Sequence, residues 1–224
     1  MLNNLLHSTL YVLSVTAFIC GTSPAQAMAL PAPQVDEAAA ESNAESRVIV
    51  LAGGCFWGIQ EVFQHVKGVT KAVAGYSGGS AETANYEAVG DGNTGHAEAV
   101  EVTYNPKQIS AGVLLKIFFS VAHDPTTRNG QGPDHGWQYR SAVFFSTAEQ
   151  ENVTRKYIAQ LDKSKLFSAP IVTEVNKLEK FYAAEGYHQN YARNNPAEPY
   201  IVFNDQPKVL ALKKEFPEYY TEGL

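Results

Sequence analysis

The chain has 224 residues, with hydrophobic side chains at 45%, charged side chains at 18% and a formal net charge of −6. This is the composition of a globular protein able to bury one core. The negative balance argues against nucleic acid or an anionic membrane surface as the main partner.

Leu10 to Cys20 is a predominantly apolar run, followed by the small-x-small triplet Ala25-Gln26-Ala27. The run is short for a membrane span and reads as the core of a signal peptide cut after Ala27. Residues 1–27 are therefore expected to direct export, with a periplasmic destination. The first nine residues carry no Lys or Arg, which leaves an uncleaved membrane anchor as the alternative. Residues 28–46 are rich in Ala, Pro, Glu and Ser without apolar periodicity and are expected to form a disordered linker. The folded domain is expected over 47–224.

Val48 to Leu51 is a β-branched run that predicts a buried strand ending at Gly53-Gly54. From Cys55 the period changes. Ile59, Val62, Phe63 and Val66 fall at helical spacing and predict an amphipathic helix stopped near Gly68. Val69 to Tyr76 predicts a strand. Ala97 to Tyr104 alternates, with Glu98, Val100, Val102 and Tyr104 on one face. Ile109 to Ala122 predicts a helix capped by Ser110. His123 to Trp137 reads as a polar loop and Tyr139 to Phe145 as a strand. Thr147 with Gln150 resembles a capping box opening a helix to about Lys163. Ile171 to Val175 predicts a further strand, and a short helix is expected near His188. Short strands alternating with helices predict an α+β (α/β) domain with helices layered on a sheet.

The chain has two cysteines, Cys20 and Cys55, and the first lies in the expected signal. A mature protein would hold Cys55 alone and could form no internal disulfide. By itself a single cysteine reads as a small buried residue. Its setting argues otherwise. Strand, Gly-Gly, Cys, helix places the thiol at a helix N-terminus, where free N–H groups and the helix dipole favour an anion, so a lowered thiol pKa is expected. Phe56-Trp57 directly follow and could wall a pocket for a small apolar group. Glu98 shares a face with Val100 and Val102, and a carboxyl on an apolar face should hold its proton to higher pH. The histidines show no zinc-like spacing, and no metal site is expected.

Several fragments occur in one order: Gly54-Cys55-Phe56-Trp57-Gly58, Gly75-Tyr76-Ser77-Gly78-Gly79, Tyr86, Thr94-Gly95-His96-Ala97-Glu98, Asn105-Pro106, His123-Asp124-Pro125, Asp134 to Ser141, and Tyr187-His188-Gln189. The set closely resembles the A-type peptide methionine sulfoxide reductases. The resemblance implies a two-layer sandwich of a mixed β-sheet with helices, ferredoxin-like in plan. It implies reduction of the S epimer of methionine sulfoxide, free or in proteins. Cys55 would attack the sulfoxide sulfur and become a sulfenic acid. Glu98 would act as acid, with Tyr86 and Tyr139 as further donors to the oxygen. Phe56 and Trp57 would hold the methyl group, and Asp134 would order the polar side of the site. Many relatives carry resolving cysteines near the C-terminus, whereas Tyr200 to Leu224 contains none. A monomer without a bound cofactor is therefore expected, its sulfenic acid reduced by an external thioredoxin- or glutaredoxin-like thiol.

Overall fold

A computed structural model describes residues 30–38 and 46–224. The expected signal peptide and its cut site lie outside the described residues. Among these, no helix is long and apolar enough to cross a membrane.

Strands β1 (Arg47–Ala52), β2 (Val69–Ser77), β3 (Ala97–Tyr104), β6 (Ala142–Phe145), β7 (Glu174–Lys177) and β8 (Phe181–Ala183) form one mixed sheet in the order β7-β6-β1-β3-β2-β8. Only the β6–β7 pair is parallel. β1 and β2 flank β3, and helix α1 (Phe56–Gln64) makes the connection between them. The register pairs Ile49 with Val102, Leu51 with Val100 and Tyr76 with Glu98, so these residues share one face. That face packs with α1, α3 (Ala111–Ile117) and α4 (Ala148–Ser164) into the main core. The opposite face carries a smaller cluster around Val50, Ala97, Ala99 and Phe144. The α+β architecture and the face assignment of β3 agree with expectation. Alternation with period 2 leaves Glu98 no other side once Val100 and Val102 are inside.

Helix ends follow local chemistry. Ser110 caps α3 by accepting from Val113 N–H, and Thr147 caps α4 by accepting from Gln150 N–H. The Gln150 side chain does not return to Thr147. It is buried, accepts from Ser146 N–H and donates to Val48 C=O and Tyr104 Oη.

Four expectations change. The helix predicted from Ile109 to Ala122 is α-helical only over α3; Phe118–Ala122 continues as a π turn. Residues 137–139 form a 3-10 turn, so the strand predicted from Tyr139 begins at Ala142. The strand predicted from Ile171 to Val175 lies at Glu174–Lys177, and β8 follows it. The loop after His123 contains a small hairpin, β4 (Gly130–Gln131) with β5 (Asp134–His135). In each case the segment is held by long-range partners that a local pattern does not encode.

A fifth change is the largest. Part of the expected linker is docked on the domain. Leu30 is buried, and Tyr157 Oη donates to Pro31 C=O. Asp36 accepts from Gly112 N–H (2.9 Å) and from Ser110 Oγ. Glu37 accepts from Tyr104 Oη and from Ala111 N–H, and pairs with Arg47 at 3.1 Å. These two carboxylates satisfy the free N–H groups at the positive end of α3. Helices α2 (Tyr86–Gly90), α5 (Tyr191–Asn194) and α6 (Gln206–Glu215) complete the list of named elements.

Glu37→Ala removes a charged acceptor from three partners and is expected to lower the folding free energy by about 2 kcal/mol in urea titrations. An unchanged unfolding midpoint would show that the docked segment contributes nothing to stability.

Candidate active site

Cys55 is the N-cap residue of α1 and is buried, 8% exposed. The two preceding glycines are required by close approach. A Cβ at Gly53 would come within 2.7 Å of the His123 ring, and one at Gly54, where φ is +96°, within 2.7 Å of the Gln131 side chain. Gln131 belongs to the β4–β5 hairpin and is itself held by Asp124, donating to its C=O and accepting from its N–H. The strand-to-helix turn that presents the thiol is thus fitted between two fixed side chains.

Glu98 is 3% exposed and accepts from Phe56 N–H, the first free amide of α1, at 3.0 Å. Burial raises its pKa to about 8; the Phe56 hydrogen bond opposes that rise and Asp134 adds to it. At neutral pH the carboxyl is mostly protonated and can donate.

The thiol departs from expectation. Burial pushes the Cys55 pKa well above that of a free thiol, and nearby Glu98 and Asp205 push it further. The Trp57 backbone N–H and Lys208 pull the other way and are outweighed. The helix-start position is present, but its field is smaller than the cost of an anion in a closed, acidic pocket. Unliganded Cys55 is a thiol.

The remaining residues expected in the site are placed as follows. Tyr86 starts α2, is 38% exposed, and is held by Glu185, which accepts from its backbone N–H at 2.9 Å. Tyr139 lies in the 3-10 turn before β6. Burial raises the pKa of both phenols, with Glu98 next in effect. Both therefore stay neutral donors. Asp134, in β5, accepts from Tyr200 Oη at 2.5 Å, and its pKa is raised by burial. Phe56 is buried against Tyr76 and His188. Trp57 is partly exposed, stacks on Tyr191 at 3.9 Å between ring centres, meets Tyr200 edge-on and donates from Nε1 to His188 Nδ1 at 3.2 Å. The fold thus gathers the thiol, the buried carboxyl, two phenols and an aromatic wall around one point.

Several contributors were not legible in the sequence as site residues. Tyr191 and Tyr200 brace Trp57, and Asp205 and Lys208 reach the thiol electrostatically. His188 accepts from the Trp57 indole and orients it. The spacing of aromatic residues across 187–200 was the available signal. Arg140 is committed to backbone carbonyls and an ion pair. It is buried and donates to Gly95 C=O, His96 C=O and Trp137 C=O while pairing with Glu174, which holds the loop entering β3.

His123 packs on Gly53 but is committed elsewhere. Its Nε2 is 2.7 Å from Ser141 Oγ and its Nδ1 3.2 Å from Phe118 C=O, and burial lowers its pKa to about 3. A neutral ring with both nitrogens engaged cannot serve Cys55 as the base of a thiol hydrolase. Among the described residues, no group of three His, Cys, Asp or Glu side chains is placed to hold a metal ion.

Residues 47–220 match the family model described as peptide methionine sulfoxide reductase. A relative from Mesorhizobium japonicum, peptide methionine sulfoxide reductase MsrA 2, is 55% identical over 188 residues, covering 84% of this chain and 95% of its own. A protein of the same name from Synechocystis sp. is 48% identical, covering 84% and 89%. Among solved structures, reduced Mxr1 from Saccharomyces cerevisiae superposes with a TM-score of 0.62 at 33% identity, covering 70% of this chain and 90% of that one. Methionine sulfoxide reductase A of Corynebacterium diphtheriae does so with 0.59 at 29% identity, covering 80% and 87%. With this family match, this fold and this arrangement of thiol and carboxyl, the chain belongs to the A-type peptide methionine sulfoxide reductases, oxidoreductases that reduce methionine sulfoxide.

Proposed function

We propose that the protein reduces the S epimer of methionine sulfoxide, free or within oxidised proteins, with Cys55 as nucleophile and Glu98 as acid. The observation that carries this reading is the buried Glu98 carboxyl, protonated at neutral pH and tied to the backbone N–H next to Cys55. The methyl group rests against Phe56 and Trp57. The oxygen is held by Glu98, Tyr86 and Tyr139, and Asp134 with Tyr200 orders the polar wall. Glu98 gives its proton to the sulfoxide oxygen and regains one from the thiol. Sulfur bonds to Cys55 Sγ; the hydroxyl then passes from the methionine sulfur to Sγ as both the sulfur–oxygen and the sulfur–sulfur bonds break, and methionine leaves. Methionine sulfur is reduced by two electrons, and Cys55 is oxidised by two to the sulfenic acid.

The protonation of both groups before substrate binds suits this order of events. A free thiolate in an oxidising compartment would be consumed by other oxidants. A thiol that ionises only as its proton is passed on reacts only when a sulfoxide is present to receive one.

The cycle closes with electrons from outside the chain. Cys55 is the one free cysteine among the described residues, and the tail that wraps the site presents buried Ile201 next to Tyr200. One thiol of a thioredoxin- or glutaredoxin-like donor attacks the sulfenic acid and releases water, and a second donor thiol cleaves the mixed disulfide, returning Cys55 as a thiol and leaving the donor oxidised to a disulfide. No bound cofactor takes part. The protein acts as an exported, periplasmic monomer that repairs oxidised exported proteins. Leu10 to Cys20 and Ala25 to Ala27 support that placement, and an uncleaved membrane anchor is the alternative.

Four outcomes are expected. Cys55→Ser abolishes turnover of the S epimer; turnover of the R epimer alone by the unaltered protein would overturn the assignment. Glu98→Gln lowers the single-turnover rate by about 10²-fold or more with little change in substrate binding. In the unaltered protein that rate holds steady below about pH 8 and falls as pH rises through the Glu98 pKa, because the acid is lost; the fall is absent in Glu98→Gln. N-terminal sequencing of exported protein should find Met28 first, and mass spectrometry after one turnover without reductant should find a sulfenic acid on Cys55 trapped by dimedone. An intermolecular disulfide as the sole first product would rule out the sulfenic acid.

A further inference from the structure

The π turn Ile201–Asp205 runs without a break into α6, and Asp205 keeps helical backbone angles at the joint. One turn on, Lys208 Nζ pairs with Asp205 Oδ1 at 3.1 Å. Asp205 is 1% exposed, and its Oδ2 has no hydrogen-bond partner. A buried carboxylate oxygen left without a partner is a departure expected where function demands a placement that folding alone would not choose.

The pair lies against the first turn of α1. A Cβ at Gly58 would overlap the Asp205 carboxylate and come within 2.8 Å of Lys208 Nζ. Gly58 is three residues beyond Cys55, so its missing side chain is what admits the pair beneath the thiol. The π turn Ile201–Asp205 delivers the carboxylate there by adding a residue to the helical path.

Resting on Cys55 as the nucleophile, we propose that Asp205 and Lys208 are positioning residues for the thiol, a buried ion pair that sets how readily Cys55 ionises. The ammonium favours the thiolate as it forms. The carboxylate opposes it and adds to the burial that keeps the resting thiol protonated, and both effects reach Cys55 through the same buried space. The other titratable groups that interact with the thiol are Glu98 from β3, Tyr86 from α2, Tyr139 from the 3-10 turn, Tyr191 from α5 and Tyr200 from the tail. Asp134 and Glu198 act on Asp205. Among all of these Lys208 is the single cation that acts on the thiol, so its removal has no local substitute.

The test is the pH profile of iodoacetamide alkylation of full-length protein, followed at Cys55 by peptide mass spectrometry. The plateau at high pH reports access to the thiol, and the midpoint reports its ionisation. Asp205→Asn, nearly isosteric, is expected to move the midpoint down and speed alkylation at neutral pH by about tenfold, the factor for each pH unit of midpoint. Lys208→Met is expected to move the midpoint up and slow alkylation by a similar factor. The double variant should return close to the unaltered protein. Midpoints that do not move, or that move in the same direction in both single variants, overturn the proposal. If Lys208→Met does not fold, Asp205→Asn decides alone, because a purely structural role predicts no downward shift. Alkylation does not depend on sulfoxide turnover, so loss of reductase activity with shifted midpoints would count against the proposed reaction and not against the pair.

Discussion

The hydrogen bond from Phe56 N–H to the Glu98 carboxyl joins the start of α1 to the centre of the sheet, and the site is organised around it. A carboxyl 3% exposed on an apolar face is costly unless it has a partner or keeps its proton. Here it has both. The helix supplies a free amide, and burial keeps the group protonated near neutrality. Because the donor is the residue directly after Cys55, the same contact fixes the distance between acid and thiol without either needing a flexible side chain to reach.

The fold holds that arrangement from three sides. Gly53 and Gly54 let the β1–α1 turn close against His123 and Gln131. The β4–β5 hairpin brings Asp134 up to Tyr200. Segments after β8 supply His188, Tyr191 and Tyr200, which pin the Trp57 ring by hydrogen bond, stacking and edge contact. An aromatic wall fixed in this way loses little side-chain freedom when a methyl group settles on it. The tail completes the pocket and brings Asp205 and Lys208 under the thiol. It thus contributes both shape and charge.

Electrostatics decides the resting state. A helix N-terminus is favourable to a thiolate, and on that ground alone Cys55 would ionise early. In the folded protein it sits in a closed pocket facing Glu98 and Asp205, and desolvation with acidic neighbours outweighs the helix field. The two groups that would exchange protons during reduction are therefore both protonated before substrate arrives. A pocket of this kind spends burial on keeping protons in place.

Much of this was legible in the sequence because it depends on neighbours along the chain. The 2-residue period of β3 put Glu98 with Val100 and Val102, Ser110 and Thr147 announced their helices, and the Gly-Gly-Cys turn into an apolar helix marked the thiol. The ordered motifs identified the family. What the sequence could not decide depends on contacts between distant segments. Asp36 and Glu37 look like linker residues until the free N–H groups of α3 stand opposite them, 76 and 74 residues away in the chain. The ionisation of Cys55 reverses for the same reason. The helix that favours its thiolate is adjacent in sequence, while the burial and the acidic groups Glu98 and Asp205 that oppose it come from a strand and a tail that only the tertiary fold brings together.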